Sequence, residues 1–431
     1  MMLKNLKSQK IKKAKNFATD MALNIFATIT PIFVLQFFLL PLVARKVSTL
    51  DYGLMLTLIS LITLSVQSFS IALGNSRLLL DEKYKEASVV GDFNILLLIS
   101  NLINIVVVIV GSVFYEGRFN LINIIVIILI SVMQLTRRYL LVAFRLKIEF
   151  KQVLYNNIIS VIGYLIGMGL FWIFGKWQFI YLTGELLSLI HVISKSNLLK
   201  EPLKRTTKFA VTTKYCLVIL IASFSGTAIM QMDKLLLYPI LGARMVTIYY
   251  VATLFGKTLS LLIGPINNVV LTYVSKMSKF KVSNFKILLL SATILGVVSY
   301  FIIVFISKPI LAFLYPEYYM DAYSIIAITT LTAIVTMITN VINPIIMKFC
   351  NITWQIWMNV SNIIIYLVLA YLLVGPFNIY GFCVAALIAA LSKLLMIVII
   401  FFNHEKKSKR EEENDENIDL NSEVVESETQ L

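Results

Sequence analysis

The chain has 431 residues, of which 59% are apolar and 14% charged, and its mean hydropathy is +0.86. A soluble domain is less apolar and more highly charged, because it needs polar surface to meet water. The composition therefore excludes a soluble enzyme and a nucleic-acid-binding protein, although the formal net charge is +15. It is typical of an all-α polytopic membrane protein.

Apolar segments long enough to cross a bilayer recur along the whole chain. A spanning helix needs about 20 mostly apolar residues. A scan at that length predicts twelve spans, at 22–43, 54–73, 93–114, 120–142, 154–174, 177–193, 216–238, 247–272, 287–306, 323–347, 355–375 and 378–402. The first span follows six lysines, but it is too long for the apolar region of a signal peptide, so we expect it to be retained.

Lysine and arginine are distributed unevenly between the two sides of this arrangement. With the N-terminus inside, 29 of them fall on the cytoplasmic side, counting Arg137 and Arg138 there, and six fall on the outer side. Membrane proteins carry such an excess in their cytoplasmic segments. The count predicts that both chain ends are cytoplasmic.

A basic loop divides the twelve spans into two groups of six. The Pro41–Tyr52 spacing recurs at Pro239–Tyr250, which favours two six-helix lobes related by a pseudo-two-fold axis along the membrane normal. The predicted domains are a basic cytoplasmic N-terminus (1–21), an N-terminal lobe (22–193), the cytoplasmic linker loop (194–215), a C-terminal lobe (216–402) and a disordered acidic cytoplasmic tail (403–431).

Charged residues within the spans are the candidates for function, because a charge in hydrocarbon is costly and usually faces a partner or a wet cavity. Lys257 lies ten residues into the eighth span, about 15 Å deep at 1.5 Å per residue, near the midplane. It is either a ligand for an anionic substrate or a packing residue paired to a carboxylate. Both alternatives stay open from the sequence.

The other candidates also have two interpretations each. Lys234 and Asp233 lie near the outer end of the seventh span, where Lys234 could instead extend to the surface. Glu185 could couple transport to a proton or be a packed, neutral side chain. The candidate cavity residues are Lys257, Lys234, Asp233, Arg45, Arg77 and Asn267, of which Arg45 could be an interfacial anchor and Arg77 a loop cation that sets the topology.

No cofactor or metal site is predicted. The cysteines Cys216, Cys350 and Cys383 are scattered, and the two histidines do not cluster with them. The sequence contains no nucleotide-binding Walker A motif, so we do not expect the chain to bind ATP.

The segment 40–53, which follows the first span, reads LPLVARKVSTLDYG. It resembles the P-x-x-A-R-x-L-S-x-x-D/E-Y-G turn of bacterial polysaccharide flippases, which belong to the multidrug/oligosaccharidyl-lipid/polysaccharide exporter superfamily. Val47 replaces the usual leucine. The passages 74–77 and 233–250 also resemble that family, and the resemblance covers residues 20–402.

The resemblance implies two lobes around a central cavity that opens alternately to either face of the bacterial inner membrane. The implied substrate is a polyprenyl-pyrophosphate-linked oligosaccharide, such as an O-antigen or capsule repeat unit. Membrane lipids and other polysaccharide-assembly membrane proteins are the implied partners of a monomer that is not an enzyme. The alternatives are a cation-coupled multidrug exporter and, from another class, a membrane oligosaccharide polymerase or glycosyltransferase. The latter usually has a large outer loop, whereas the longest here is near 307–322.

Overall fold

The described residues of the computed structural model form helices joined by short connections. These residues are Phe26, 29–87, 89–117, 120–275, 282–350 and 353–429. Their side chains are described except at 260–275, 347, 353, 355–356 and 407–429. The helices are α1 (Ile29–Ala44), α2 (Thr49–Glu86), α3 (Asp92–Glu116), α4 (Leu121–Leu146), α5 (Phe150–Phe174), α6 (Gln178–Lys195), α7 (Phe209–Leu241), α8 (Ala243–Ser275), α9 (Val282–Leu314), α10 (Tyr319–Phe349) and α11 (Thr353–Thr429).

The lengths of these helices bear on the prediction of a polytopic membrane protein. Among the described residues, eight helices are long and apolar enough to cross a membrane, and α1 is a shorter apolar helix. The prediction of several membrane-spanning helices is therefore confirmed. The full set of twelve spans and the position of the chain ends stay predictions.

Helix α11 covers the last two predicted spans. Asn378 has φ 50° and ψ −131°, which breaks the helix into a first arm (353–377) and a second arm (379–429). Backbone of this kind ends one helical path and begins another. The second arm continues through the acidic segment to Thr429, and the disorder expected there from the sequence stays a prediction.

Capping residues determine where several helices begin and end. The Ser48 side chain accepts a hydrogen bond from the backbone N–H of Asp51 and so caps the start of α2. Helices α3 and α5 end at Gly117 and Gly175, both left-handed, a conformation that glycine adopts without steric cost. These terminations keep the connections short.

The chain forms two compact units. Unit 1 contains Met1–Leu254 and Lys308–Ser324, and unit 2 contains Phe255–Ser307 and Ile325–Leu431. The start of α8 and the connection between α9 and α10 therefore pack with the first half of the chain. The predicted domain boundaries are not tested by this division and stay predictions.

In unit 1, glycines bring α5 and α6 into close contact. A Cβ atom on Gly163 would lie 2.6 Å from Cα of Gly184, and one on Gly167 would lie 2.6 Å from Cα of Ile180. Gly163 and Gly167 form a G-x-x-x-G pattern, which allows membrane helices to pack backbone against backbone. Residues of α5 and α6 contribute to a buried ion pair and its hydrogen bonds.

In unit 2, aromatic and aliphatic side chains of α9, α10 and the second arm of α11 form a core. The Phe285 and Phe401 rings stack with their centroids 3.9 Å apart. Ile342, Ile345 and Ile397 pack around them and are fully buried.

We expect Gly167→Val to weaken the α5–α6 contact, because its side chain would collide with the backbone of α6. The matched control is Gly169→Val on the same helix, since a Cβ there meets no atom within 4 Å. Thermal unfolding of the detergent-solubilised protein should show a lower midpoint for Gly167→Val and little change for Gly169→Val. Equal midpoints would contradict this account of the packing.

Candidate functional site

A buried ion pair lies among α4, α5 and α6. The Arg137 guanidinium donates to both carboxylate oxygens of Glu185, with Nε 2.6 Å from Oε2 and Nη2 3.2 Å from Oε1. Glu185 is fully buried and Arg137 is 6% exposed. Tyr164 donates to Glu185 from 3.1 Å, and the Gln134 amide lies 3.4 Å from the same oxygen.

The network extends to the ends of these helices. Arg137 Nη1 lies 3.4 Å from the amide oxygen of Asn156, which also accepts a hydrogen bond of 2.8 Å from the Ser188 hydroxyl. The Asn156 amide nitrogen donates to the Ser188 carbonyl and lies 3.3 Å from Nδ1 of His191. Each partner fixes another, so the ion pair is held rigidly between helices.

This arrangement changes how two residues are interpreted. The sequence count placed Arg137 among the loop cations, but it lies inside the helix bundle. Glu185 was a candidate for proton coupling, and both of its oxygens are engaged by neighbours. A role for Glu185 in coupling stays a prediction, and it would require Arg137 to release the carboxylate. The sequence signals for the pair were Glu185 within a predicted span and the Arg137–Arg138 dipeptide at the end of an apolar run.

Arg77, a candidate cavity residue, pairs with Glu201 of the central linker. Its Nη1 lies 2.8 Å from Oε2 of Glu201, and the guanidinium lies 4.8 Å from the centroid of the Phe93 ring. The pair joins the inner part of α2 to the linker. Arg77 thus has an ionic partner on the loop that follows α6.

Further contacts hold the linker against the start of α3. The Asp92 carboxylate accepts hydrogen bonds from the Thr206 backbone N–H at 2.7 Å and the Tyr84 hydroxyl at 2.6 Å. The Asn94 amide donates to the carbonyls of Leu198 and Glu201 at 2.9 and 2.8 Å. These hydrogen bonds hold the predicted linker loop against the start of α3.

The two cations after α1 contact carbonyl oxygens and aromatic rings. The Arg45 guanidinium donates to the Phe313 carbonyl oxygen. Lys46 donates to the Trp172 carbonyl at 2.7 Å, with its ammonium 4.4 Å from the Trp172 ring. Arg45 and Lys46 are exposed, which is the environment of an interfacial anchor.

Close by, buried tyrosines connect α2 to α8 and to the α9–α10 connection. The hydroxyls of Tyr52 and Tyr315 share a hydrogen bond of 3.3 Å, and the Tyr52 ring is 6.5 Å from that of Tyr250. Thr49 and Tyr318 share another of 2.9 Å. Burial raises the pKa of the Tyr315 phenol well above its ordinary value, so the hydroxyl keeps its proton.

This tyrosine cluster (Tyr52, Tyr250, Tyr315) gives a packing reason for the tyrosine near the end of the 40–53 segment. Tyr52 is fully buried, and a Cβ on the next residue, Gly53, would collide with the backbone of Ala243. Only glycine allows α2 and α8 to approach so closely. Side-chain and backbone contacts thus join the segment to α8 and to the α9–α10 connection within unit 1.

Lys234 lies between α2 and α7. Its ammonium donates to the Ser60 hydroxyl at 2.8 Å and to the Gln231 amide oxygen at 3.2 Å, and it is 6.0 Å from the centroid of the Tyr250 ring. The adjacent Asp233 is 6% exposed, and its carboxylate accepts the backbone N–H of Lys234 at 2.8 Å. Lys234 therefore extends into the α2–α7 interface rather than to the helix end.

The structure places the remaining candidates in unit 2. Lys257 lies on α8 and is half-buried. Asn267 lies on the same helix, and its side chain is outside the described residues. Lys393, on the second arm of α11, donates to the Asn359 amide oxygen of the first arm at 2.8 Å.

We expect Glu185→Gln to destabilise the protein strongly, because it leaves the buried Arg137 guanidinium without its counterion. Breaking a buried ion pair costs about 3–5 kcal/mol, whereas an exposed pair contributes about 0–1 kcal/mol. SDS titration of the folded protein would measure the free energy of unfolding.

Two further variants test whether the loss of stability comes from the unpaired buried charge. The double variant Arg137→Leu/Glu185→Leu should recover much of the lost stability, since neither charge is then buried. Asp321→Asn removes an exposed partner of Arg244, 3.1 Å away, and is the matched control. If Glu185→Gln unfolds like the control, the ion pair does not stabilise the bundle.

Several solved structures have a similar fold. No protein-family model and no curated protein matches the chain. Among solved structures, the chain is similar to the lipid II flippase MurJ in an inward closed conformation. The TM-score is 0.65 and the identity 15%, over 90% of this chain and 87% of MurJ.

Two MATE transporters also have similar folds. One is a multidrug resistance MATE family transporter of the MOP superfamily in an inward-facing conformation, with a TM-score of 0.61, 11% identity and coverage of 90% and 96% of the two chains. The other is the eukaryotic MATE transporter AtDTX14, with a TM-score of 0.55, 11% identity and coverage of 94% and 99%. At these identities the comparisons show that the chain has the fold of this group of membrane transporters and flippases.

Proposed function

We propose that this protein is a flippase that moves a polyprenyl-pyrophosphate-linked oligosaccharide across the bacterial inner membrane by alternating access. The substrate would be a repeat unit for a cell-surface polysaccharide such as an O-antigen or capsule. The fold shared with MurJ supports transport of a lipid-linked substrate. The resemblance of the 40–53 segment to polysaccharide flippases supports the oligosaccharide.

The observation that carries the proposal is the placement of Lys234. Its ammonium lies between two helices, beside a hydroxyl, an amide oxygen and an aromatic ring. A cation attracts a pyrophosphate far more strongly in a low-dielectric interior than in water. Hydroxyl and amide groups at the same place can exchange hydrogen bonds with sugar hydroxyls.

The state of Glu185 supports the same conclusion. A cation-coupled exporter needs a carboxylate that can take up and release its ion, whereas Glu185 is engaged by Arg137, Tyr164 and Gln134. Lys257, on α8 in unit 2, stays a proposed contributor to binding the anionic head of the substrate. Asn267, Arg45 and Arg77 stay proposed contributors to binding, the last two in exchange for their present partners.

Hydrogen bonds join α2 to the α9–α10 connection in unit 1. We propose that they supply the closure of one end that alternating access needs. A carrier must open each end in turn, so we propose that these hydrogen bonds break during the cycle. Neutral hydroxyl pairs suit this role, because each contributes only about 1 kcal/mol and can be exchanged for water.

The second candidate is a cation-coupled multidrug exporter, as in the MATE transporters of similar fold. The buried carboxylate of Asp233 favours it, since an acidic side chain can bind a cationic drug or a coupling ion. Transport of a cationic dye under an ion gradient would distinguish the two functions.

We expect Lys234→Gln and Lys257→Gln each to lose most export of lipid-linked oligosaccharide, whereas Lys234→Arg and Lys257→Arg retain most of it. The reason is that binding depends on the positive charge, which arginine keeps. Complementation of a flippase-deficient strain at matched membrane levels would measure export. Lys85→Gln is the control, because Lys85 is exposed and pairs only across one turn with Asp81. Parental export by both neutral variants would refute the proposed site.

Locking the closed end should stop transport. In a variant with Cys216, Cys350 and Cys383 replaced by alanine, Thr49→Cys and Tyr318→Cys place thiols on the two sides of one hydrogen bond. A short reagent that bridges thiols through disulfides should abolish export, and reduction should restore it. Each single-cysteine variant treated with the reagent is the control, and full export by the bridged protein would show that this end does not open.

A further inference from the structure

Unit 2 contains an apolar cavity between the two arms of α11. Its volume is about 970 Å³, and it is lined on the first arm by Trp354, Trp357, Met358 and Ser361. These positions have the spacing of one helix face. On the second arm, a matching face runs from Met396 to His404.

The cavity has a packed floor and an exposed rim. Met358 and Cys350 are 2% and 8% exposed and belong to the core of unit 2. Trp354 and Trp357 are 50% and 61% exposed. A cavity of this size, apolar inside and open at one side, has the form of a ligand site rather than a packing defect.

The sequence places one end of the cavity lining at a predicted membrane interface. The apolar run of the second arm ends at Phe402, and Asn403 and His404 of the lining are followed by Glu405 and Lys406. Tryptophan is enriched at the boundary between hydrocarbon and head groups. An occupant must therefore be apolar along its length and polar at this end.

The charge at this end indicates the head group. Lys406 follows the lining residue His404 by two positions, and Lys348 precedes the lining residue Cys350 by two. Both lysines are exposed. A bilayer offers one abundant molecule with a long apolar chain and an anionic head, which is an anionic phospholipid.

We propose that the cavity binds an acyl chain of an anionic phospholipid, with its phosphate at the Asn403–His404 end. The indoles of Trp354 and Trp357 lie along the chain, and Lys348 and Lys406 attract the head group. This site is separate from the residues of the proposed transport function, and its existence does not depend on that function.

The protein's own tryptophans allow a direct test. Trp172→Phe/Trp177→Phe leaves Trp354 and Trp357 as reporters, whereas Trp177→Phe/Trp354→Phe/Trp357→Phe leaves the exposed Trp172 as the control. Each protein is placed in phosphatidylcholine nanodiscs that contain a small fraction of phosphatidylglycerol with brominated acyl chains. Bromine quenches indole fluorescence on contact.

We expect brominated phosphatidylglycerol to quench Trp354 and Trp357 more than Trp172, and brominated phosphatidylcholine to quench both reporters equally. In Lys406→Gln, about five times as much brominated phosphatidylglycerol should be needed for the same excess quenching, as expected on loss of one basic residue near an anionic head group. Lys85→Gln should leave it unchanged. Ser361→Phe, which fills the cavity, should abolish it.

Three outcomes would overturn the proposal. The first is equal quenching of the cavity and control reporters by the anionic lipid. The second is excess quenching that persists in Ser361→Phe, provided that this variant keeps its thermal midpoint. The third is displacement of the brominated lipid by polyprenyl phosphate more readily than by unbrominated phosphatidylglycerol, which would assign the cavity to an isoprenoid chain.

Discussion

The structure of unit 1 depends on the pairing of charges that are removed from water. Arg137 and Glu185 lie inside the bundle, and each is costly without the other. The glycines of α5 and α6 allow the close approach that brings Tyr164 and Asn156 to the pair. Because the pair is fixed by neighbours on three helices, α4, α5 and α6 form one rigid block.

That rigidity determines which groups can act on a substrate. Glu185 is engaged by the framework and Asp92 holds the linker through Thr206, whereas Arg77 would have to release Glu201 before it could bind a substrate. Lys234 has a different setting, since its hydrogen bonds to Ser60 and Gln231 join the α2–α7 interface without a rigid fork geometry. We propose that the Lys234 ammonium exchanges these hydrogen bonds for phosphate oxygens when the substrate binds.

Much of the fold follows from the sequence, and most of the site does not. Hydropathy predicts where helices lie because the bilayer requires long apolar segments with internal hydrogen bonding. It cannot show that Arg137 meets Glu185, since 48 residues separate them and no period relates them. It likewise did not find the Tyr52–Tyr315 hydrogen bond or the clamp of Asp92 on the linker, because such contacts depend on how helices pack. The sequence identified Lys234 as a charged residue within a span, but only the structure shows that its side chain extends into the α2–α7 interface.

The central claim is that the protein moves an anionic lipid-linked oligosaccharide between leaflets, and a reconstituted system tests it most directly. Purified protein in liposomes would be supplied with a fluorescent polyprenyl-pyrophosphate oligosaccharide, and a membrane-impermeant glycosidase would report its arrival on the accessible face. The account predicts that the protein accelerates cleavage of the initially protected half of the substrate and does not move a cationic dye under an ion gradient. Cleavage at the rate of protein-free liposomes, together with gradient-driven dye transport, would contradict it.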